Sequence, residues 1–327
     1  MEGWETDLRI LDALRGRQAF VQWEDLARVV GCAPGSLRRR VEHLVAAGHQ
    51  IEERAGVGLR LVEEGEPITA EDACRVIPAG FLSDVRTYGV VGSTNDLARR
   101  LARDLTGVNA LVLAEGQTRG RGRQRRAWFS PLGVGLWFSL ILWPSRAGAR
   151  SPALGLLASV AVASAIRRLY GIQAEVKWPN DVLVGGRKVC GILSELADSP
   201  GGTCAVVGIG INVNQAEEAF PAELRTGACS LRMHVGREVD RLQLLGAVLG
   251  DLALRYGRYE VDGFAPFRPE WESLSGMVGR RVRVSEGAES HVGRATGLRD
   301  DGALRIETDG GGSVSVVAGD VEILEEG

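Results

Sequence analysis

The stretch "EGQTRGRGRQRRAWFSP", residues 115–131, carries five arginines and three glycines in its first twelve positions. Two apolar runs flank it, "NALVLAE" before and "GVGLWFSLILW" after, and both are typical of buried strands. Glycines allow backbone N–H groups to approach a ligand, while clustered guanidinium groups neutralise several oxyanions at once. The stretch therefore predicts a loop, held between two strands, that orders over a small anionic ligand. An RGG-like nucleic-acid contact is the alternative interpretation.

Composition indicates an ordinary globular protein with local rather than uniform charge. The chain has 327 residues, of which 45% are apolar and 25% charged, enough for two or three domains. A formal net charge of -3 excludes a uniformly basic nucleic-acid coat, so any DNA or phosphate site must be a local cluster. Five scattered cysteines without a C-x-x-C spacing predict reduced, mostly buried thiols in the cytoplasm, with neither a disulfide framework nor a zinc site.

Neither a signal peptide nor a membrane partner is expected. The opening "MEGWETDLRILDALRG" is acidic and interrupted where an apolar segment would be needed. The charge-free run "SPALGLLASVAVASAI", residues 151–166, is shorter than the roughly 20 residues that span a membrane. We therefore predict a buried helix there.

Residues 1–66 show helix, turn, second helix and a small hairpin, a pattern that resembles a winged helix-turn-helix domain. The turn falls at Gly31–Pro34, and Gly56 and Gly58 mark the bend of the hairpin. Successive residues of the second helix are about 100° apart, so several of its polar residues lie opposite its apolar face or at the edges of that face. We expect these residues to contact DNA: Ser36, Arg38, Arg39, Arg40 and His43. A solvated face on a helical bundle or dimerisation module is the alternative.

The rest of the chain divides into three segments. Residues 67–75 are predicted as a linker because the surrounding "EEGEPITAED" is polar and contains Pro67. Residues 76–275 mix short apolar strands with helices near 94–104 and 152–170, as in a central-sheet α/β domain. Residues 276–327 show five short alternating stretches, typical of a small SH3-like β-barrel. The predicted fold class is α+β and multidomain.

The two lysines of the chain, Lys177 and Lys188, stand eleven residues apart in "EVKWPNDVLVGGRKVCGILSEL", residues 175–196. Because arginine supplies every other basic position, a lysine indicates a place where a planar guanidinium does not fit. A turn at Trp178–Asp181 and a Gly185–Gly186 hairpin would bring both lysines together with Asn180 and Asp181 to hold a reacting phosphate or carboxylate. Downstream, "VVGIGINVNQ" (206–215) predicts a strand that ends in a Gly-Ile-Gly-Ile-Asn turn, where a planar ligand could lie against backbone. A plain buried strand is the alternative interpretation.

The motifs "GSTNDLA" (92–98), "GQTRGRGRQRRAWFSP", "KWPNDV", "GRKVCGILSE" and "GIGINVN" follow the order and spacing of biotin protein ligases. With its N-terminal segment, the chain resembles the bifunctional class that combines ligase and biotin operon repressor. The resemblance implies a central mixed-sheet domain of the class II synthetase and biotin ligase type. It also implies that biotin and ATP, with Mg²⁺, form biotinoyl-5'-AMP and that biotin passes to a lysine of the biotin carboxyl carrier protein of acetyl-CoA carboxylase. An adenylate-bound homodimer would bind operator DNA.

The resemblance also implies roles for individual residues. Lys188 and Arg123 would contact the reacting oxygens, and Asp181 would lie near the attacking lysine amine or Mg²⁺. Residues implied to bind biotin are Ser93, Thr94, Asn95, Gln117, Gly120, Arg121, Gly122, Arg123 and Lys188. Residues implied to bind the nucleotide are Asn180, Arg126, Trp128 and Asn212.

The chain departs from the usual family loop at Gln124 and Arg125, and at Ala127, where a lysine often precedes the tryptophan. These departures concern retention of the adenylate and the dimer surface. Three other functions stay open: a ligase whose winged helix no longer represses, a lipoate-type acyl ligase, and a non-catalytic biotin-sensing regulator.

Overall fold

The computed structural model describes residues 3–46, 49–63, 67–144, 153–287 and 289–324. Its first unit contains α1 (Gly3–Leu14), α2 (Trp23–Val30), α3 (Pro34–Ala46) and an antiparallel pair of strands, β1 (Gln50–Arg54) and β2 (Gly58–Glu63). α2 ends at Gly31, whose φ of 74° lies in the left-handed region that favours glycine. This order of elements matches the prediction, although α3 ends at Ala46 and the predicted end, Gly48, lies outside the described residues.

Arg40 faces the interior of this unit rather than the surface expected to meet DNA. Its Nε donates to Asp7 Oδ1 at 2.7 Å, and the Asp7 side chain is fully buried. A buried carboxylate is costly unless it is paired, so the pair joins α3 to α1. The prediction for Arg40 is therefore wrong as far as a free, outward side chain is concerned.

Residues 67–75 do not form the predicted linker. Thr69 caps helix α4 (Ala70–Val76) through a capping box with Asp72, which satisfies the free N–H groups of the first turn. Ile68 and Ala73 are buried in the central core. Of the polar residues in 67–75, Thr69 and Asp72 form the cap, and Glu71 and Arg75 lie on the exposed face of this short helix.

The central unit is built on a seven-stranded mixed sheet in the order β3-β4-β5-β9-β8-β7-β6. β3 and β4 run parallel, and the other neighbours are antiparallel. The strands are β3 (Asp84–Val91), β4 (Ala110–Gln117), β5 (Gly135–Leu142), β6 (Ala174–Lys177), β7 (Asp181–Val184), β8 (Arg187–Ser199) and β9 (Gly202–Asn212).

Helices cover both faces of the sheet. α6 (Ala153–Tyr170) and α8 (Arg241–Asp262) pack on the face that carries Leu113 and Phe138. α5 (Thr94–Leu101) packs on the opposite face, which carries Val112 and Val206. The shorter helices α7 (Leu231–Val235) and α9 (Arg268–Leu274) complete the unit.

In the described part of the chain, α6 is the one helix with the length and hydropathy to cross a membrane. It contains most of the charge-free run that predicted a buried helix. Its residues from Ala153 to Val162 are all buried between the sheet and α8, so the prediction of a buried core helix is confirmed.

The last unit is a five-stranded antiparallel sheet in the order β13-β12-β11-β10-β14. Its strands are β10 (Arg281–Glu286), β11 (Glu289–Leu298), β12 (Leu304–Thr308), β13 (Ser313–Val316) and β14 (Asp320–Ile323). Their apolar side chains belong to the same buried cluster as the central unit. Trp178 Nε1 also donates to the Gly302 carbonyl at 3.1 Å, which holds the two units together next to the "KWPND" turn.

All five cysteines are free thiols, as predicted. Cys190, Cys204 and Cys229 are buried, and burial raises the pKa of each thiol, that of Cys229 to about 11. These three thiols therefore pack as small apolar side chains and stay protonated at neutral pH.

Arg40→Ala should destabilise the N-terminal unit by about 3 kcal/mol, because it removes the Arg40 guanidinium from the buried Asp7 carboxylate. Arg39→Ala, its exposed neighbour, should change stability by less than about 0.5 kcal/mol. Hydrogen exchange of the α1 and α3 amides measures both effects. Equal exchange rates in the two variants would contradict the inward role of Arg40.

Candidate active site

A cavity of about 470 Å³ opens at one end of the central sheet. It is surrounded by the start of α5, the end of β4, the arginine-rich segment 118–130, strands β6 to β9, segment 220–228 and the start of β14. The residues expected from the sequence that line it are Ser93, Thr94, Asn95, Gln117, Arg121, Gly122, Arg123, Arg126, Trp128, Asn180, Asp181, Lys188 and Asn212. Chain segments separated by more than a hundred residues therefore meet at one cavity.

A chain of hydrogen bonds orders one end of the cavity. The backbone N–H and hydroxyl of Thr94 donate to Gln117 Oε1 at 2.8 and 3.2 Å, and Gln117 Nε2 donates to Ser130 Oγ at 2.8 Å. Ser93 caps the N-terminus of α5. The first turn of α5 and the end of β4 are thereby held in one orientation, with polar groups directed at the cavity.

Ser139 of β5 holds the start of α5 from within the core, a role that the sequence did not predict. Its hydroxyl lies 2.8 Å from Thr94 Oγ1 and 2.6 Å from Asn95 Oδ1, entirely within the core. Asn95 Nδ2 in turn donates to the Leu193 carbonyl at 3.2 Å and to Glu195 at 3.1 Å. Asn95 thus joins α5 to β8, while a serine inside an apolar strand carries no sequence signal of such a role.

We call residues 118–130 the arginine loop. Its two arms pair with each other, because Trp128 N–H donates to the Gly120 carbonyl and Gly122 N–H to the Arg126 carbonyl, both at 2.8 Å. Gly120 does not line the cavity. A Cβ there would lie 2.5 Å from the Trp128 carbonyl oxygen and 2.7 Å from Ser130 Oγ, so this glycine permits the close approach of the two arms.

Ion pairs hold the arginine loop on the side of α5. Arg121 Nη2 lies 2.7 Å from Asp96 Oδ1 and 3.0 Å from Glu195 Oε2. Arg123 is more deeply placed, and its burial lowers the pKa of the guanidinium, while the carboxylates of Asp320 and Asp181 oppose that shift. Arg123 remains a cation at neutral pH and lines the cavity.

Lys188 and Asp181 form the central ion pair of the site, with Nζ 2.6 Å from Oδ1. The ammonium also lies 5.1 Å from the ring centroid of Trp128. The backbone of Lys188 bonds to Gly227 and Cys229, so segment 220–228 fixes the position of the lysine along β8.

Lys177, Asn180 and Asp181 come to the same cavity through the turn before β7, as predicted for the "KWPND" segment. Asn180 Nδ2 donates to the Ile192 carbonyl at 2.8 Å, which fixes the turn against β8. The turn and the hairpin thus bring the two lysines together with the Asp181 carboxylate and the Asn180 amide, as predicted.

The Gly-Ile-Gly-Ile-Asn segment is part of β9 and does not form the predicted turn. A Cβ on Gly210 would lie 2.4 Å from Trp128 Nε1, and one on Gly191 would lie 2.8 Å from the Trp128 ring. Two neighbouring strands thus use glycine to leave a flat surface, and the planar group that lies on it is the Trp128 indole.

Segment 220–228 and the start of β14 also line the cavity, and the sequence had not indicated either. They contribute Phe220, Glu223, Asp320 and Val321. Asp320 comes from the C-terminal unit, whose short alternating strands carry no ligand-binding motif that could have marked it.

Among the described lining residues, five side chains are cationic and three are carboxylates. The cations are Arg121, Arg123, Arg126, Lys177 and Lys188, and the carboxylates are Asp181, Glu223 and Asp320. Apolar walls from Phe138, Trp178 and Ile192 complete the cavity. This combination suits an anionic ligand with an apolar part, and it can neutralise charge where two anions meet.

The Biotin/lipoate A/B protein ligase family model matches residues 89–214, and the Biotin protein ligase C terminal domain model matches residues 278–324. The bifunctional ligase/repressor BirA of Bacillus subtilis is 34% identical over 306 residues, which cover 93% of this chain and 94% of the relative. The chain belongs to the biotin protein ligase family. It is accordingly a ligase enzyme.

Two further relatives match a smaller share of the chain. The biotin–[acetyl-CoA-carboxylase] ligase of Paracoccus denitrificans is 36% identical and matches 68% of this chain and 93% of its own length. The Aquifex aeolicus biotin protein ligase, solved in complex with biotin and ATP, covers 74% of this chain and 100% of its own, with 29% identity and a TM-score of 0.65. Shorter biotin protein ligases therefore match about three quarters of the chain or less, whereas the bifunctional relative matches nearly all of it.

Gly210→Ala should leave the protein folded but displace the Trp128 indole, because the new Cβ has no room. Overpacking of this kind costs roughly 1 to 3 kcal/mol of stability. Because the indole bounds the space around the Lys188 ammonium, biotin transfer should also fall, by about tenfold for every 1.4 kcal/mol added to the barrier. Gly155→Ala in α6 is the matched control, since its Cβ would meet Ser194 and Ile192 at 3.6 and 3.8 Å, in ordinary contact. Biotinylation of an acceptor protein at fixed ATP measures both, and unchanged transfer in Gly210→Ala would refute the packing argument.

Proposed function

We propose that this ligase joins biotin and ATP into biotinoyl-5'-AMP and then transfers biotin to a lysine of the biotin carboxyl carrier protein of acetyl-CoA carboxylase. The observation that carries the proposal is the convergence of Lys188 and Arg123 on one cavity with an apolar wall. The names of the relatives support the acceptor, because one of them is a biotin–[acetyl-CoA-carboxylase] ligase. We expect the protein to work in the cytoplasm, where this acceptor is made.

The first step brings two anions together. A carboxylate oxygen of biotin forms a bond to the α-phosphorus of ATP, and the bond from that phosphorus to the pyrophosphate oxygen breaks. Lys188 and Arg123 would stabilise the charge that gathers on the α-phosphate oxygens, and they are already held in place before the substrates meet. Because the ion pair with Asp181 and the backbone bonds fix Lys188, little reorganisation is needed during the reaction.

Each end of the cavity suits one half of the adenylate. The hydrogen-bonding groups at the start of α5 and the end of β4 would take the ureido ring of biotin, principally Ser93, Thr94 and Gln117, with Asn95 beside them. The arginine loop residues Arg121, Gly122 and Arg123 would close over the phosphate. The nucleotide would lie against Trp128, Arg126, Asn180 and Asn212, beneath the C-terminal unit.

Magnesium would enter with ATP rather than occupy a site built by the protein alone. In the described ranges, no three His, Cys, Asp or Glu side chains come together to hold a metal ion. Mg²⁺ is commonly held by one or two carboxylates together with substrate phosphates, and Asp181 is a suitable carboxylate in the cavity. When bound, the ion would neutralise phosphate charge beside Lys188.

The second step requires that water be kept from the mixed anhydride until the acceptor arrives. The arginine loop, packed between α5 and the C-terminal unit, would provide this cover. Asp181 would accept hydrogen bonds from the incoming lysine amine. The nitrogen of the neutral amine then attacks the biotinoyl carbonyl carbon, an amide bond forms, and the bond from that carbon to the phosphate oxygen breaks, so that AMP leaves. The proton lost by the nitrogen passes through Asp181 to solvent.

For the N-terminal unit we propose a winged helix-turn-helix that binds operator DNA as part of an adenylate-bound homodimer. Arg39 is exposed and, within the described residues, makes no ion pair, so it is free to contact phosphates or base edges. Arg38 stacks on Trp23 and pairs with Glu53 at 3.0 Å, which places it beside the two-stranded sheet. Ser36 is half-buried, and the side chain of His43 lies outside the described residues.

A packing contact supports coupling between the cavity and this unit. Leu132, two residues after the arginine loop, is 7% exposed and belongs to the buried cluster of the N-terminal unit together with Val90. Ser130, at the end of the loop, accepts a hydrogen bond from Gln117. A ligand that repositions Gln117 and the loop would therefore act on the orientation of the DNA-binding unit. A ligase that no longer represses is the second candidate, favoured by the ion pair that already occupies Arg38.

Lys188→Arg should reduce adenylate formation at least 100-fold although it keeps the charge. Gly191, Asp181 and the Trp128 ring enclose the ammonium, so a guanidinium would enter the space of the reacting carboxylate. Arg187→Lys, next to it in β8 and paired with exposed Glu217, is the control that should retain activity. The measurement is biotin-dependent pyrophosphate release. Near wild-type release by Lys188→Arg would remove this lysine from the reaction.

Biotinoyl-AMP should lower the protein concentration needed to shift operator DNA at least tenfold, and the affinity should fall steeply with salt. Arg39→Ala should weaken binding by about 1 to 3 kcal/mol while adenylate formation stays unchanged. Arg28→Ala, on exposed α2 beside Asp25, is the control. Equal DNA affinity with and without the adenylate at one salt concentration would favour the ligase without repressor function.

A further inference from the structure

Side-chain contacts attach the arginine loop to the C-terminal unit, and one of them involves Asp320, a cavity residue without a role in the reaction steps proposed above. Arg123 Nη1 donates to the Gly319 carbonyl at 3.1 Å, and Arg126 Nη2 pairs with Asp320 Oδ2. Gln124 Oε1 accepts from the same Arg126 nitrogen at 3.1 Å. We call the contacts of Arg123 with Gly319, and of Arg126 with Asp320 and Gln124, the loop latch.

The tip of the loop needs support of this kind. Gln124 and Arg125 are two successive non-glycine residues with φ of 54° and 61°, in the left-handed region that side chains disfavour. The contacts of the loop latch come from the residues on either side of Arg125. They therefore hold a backbone shape that the loop sequence would not favour by itself.

The C-terminal side of the loop latch is rigid. Asp320 begins β14 and pairs with Ser285 of β10 in a regular antiparallel register. A Cβ on Gly319 would lie 2.9 Å from the Ser285 carbonyl oxygen, so the chain passes close to β10 just before Asp320. The carboxylate and the carbonyl are thus presented from a fixed strand end, which also lines the cavity.

Charge favours the same arrangement. Arg123 and Arg126 repel each other, and Arg126 adds to the lowering of the Arg123 pKa that burial causes. The Asp320 carboxylate attracts both guanidinium groups. Each planar fork carries five N–H donors, so the donors not used in the latch remain available to a ligand.

We propose that Asp320 is a positioning residue for the ligase reaction, which holds Arg126 and closes the arginine loop against the C-terminal unit. The inference rests on the proposed function in one respect, namely that the closed loop retains the adenylate. Opening the loop for substrate entry or for transfer then requires release of the Asp320 carboxylate. The C-terminal unit in this way controls access to a cavity formed mostly by the central unit.

The test compares Asp320→Asn with Glu322→Gln in the full-length chain. Glu322 lies two residues along the same strand and pairs with exposed Arg283 at 2.7 Å, so it is a matched control outside the cavity. Asp320 is 44% exposed, and neither change should affect folding. Trypsin cleavage after Arg125 and Arg126, without substrates, should be about five- to tenfold faster in Asp320→Asn and unchanged in Glu322→Gln.

The second measurement is the half-life of preformed biotinoyl-AMP on the enzyme in the absence of acceptor. Asp320→Asn should shorten it about tenfold at unchanged melting temperature, and Asp320→Glu should restore both the half-life and the resistance to trypsin. Wild-type cleavage and half-life in Asp320→Asn would overturn the proposal, as would faster cleavage with an unchanged half-life. If wild-type protein forms no adenylate, the proposed function fails, while the trypsin result still decides whether Asp320 closes the loop.

Discussion

Repulsion among cationic side chains is the physical constraint on which the rest of this site depends. Five of them meet at one cavity, and such a cluster is unstable unless carboxylates are placed among its members. Asp96 and Glu195 pair with Arg121, Asp181 pairs with Lys188, and Asp320 pairs with Arg126. These carboxylates come from α5, β7, β8 and β14, so the charge balance requires the central and C-terminal units to be assembled together.

Close packing against glycine is the second condition. The Trp128 indole can lie on β8 and β9 because Gly191 and Gly210 have no side chains. The two arms of the arginine loop can meet because Gly120 has none either. The indole in turn bounds the space around the Lys188 ammonium. The position of the Trp128 indole and the space around the Lys188 ammonium therefore depend on the same glycines. A side chain at Gly191 or Gly210 would move the indole and with it one wall of the space around the ammonium.

The start of the central unit is joined to this site by buried hydrogen bonds. Ile68 N–H donates to Glu115 Oε1 at 2.9 Å, and Arg241 of α8 donates to Glu115 Oε2 at 2.7 Å. Glu115 lies on β4, two residues before Gln117. Glu115 therefore connects the start of the central unit to the strand that carries a cavity residue, while Leu132 packs in the buried cluster of the N-terminal unit.

The sequence by itself determined the order of elements in the N-terminal segment, the buried helix α6 and the hairpin that unites Lys177 with Lys188, because periodicity and turn residues act over a few neighbouring positions. Nearly all of the motif residues at the cavity followed from the resemblance to biotin protein ligases, which the order and spacing of the motifs carry. Tertiary structure alone decided the positions of Ser139 and Asp320, because their partners lie 44 or more residues away. It also turned Arg40 toward Asp7, packed 68–76 into the core and kept the β9 glycines in a strand, since burial of a charge and sheet pairing outweigh local pattern.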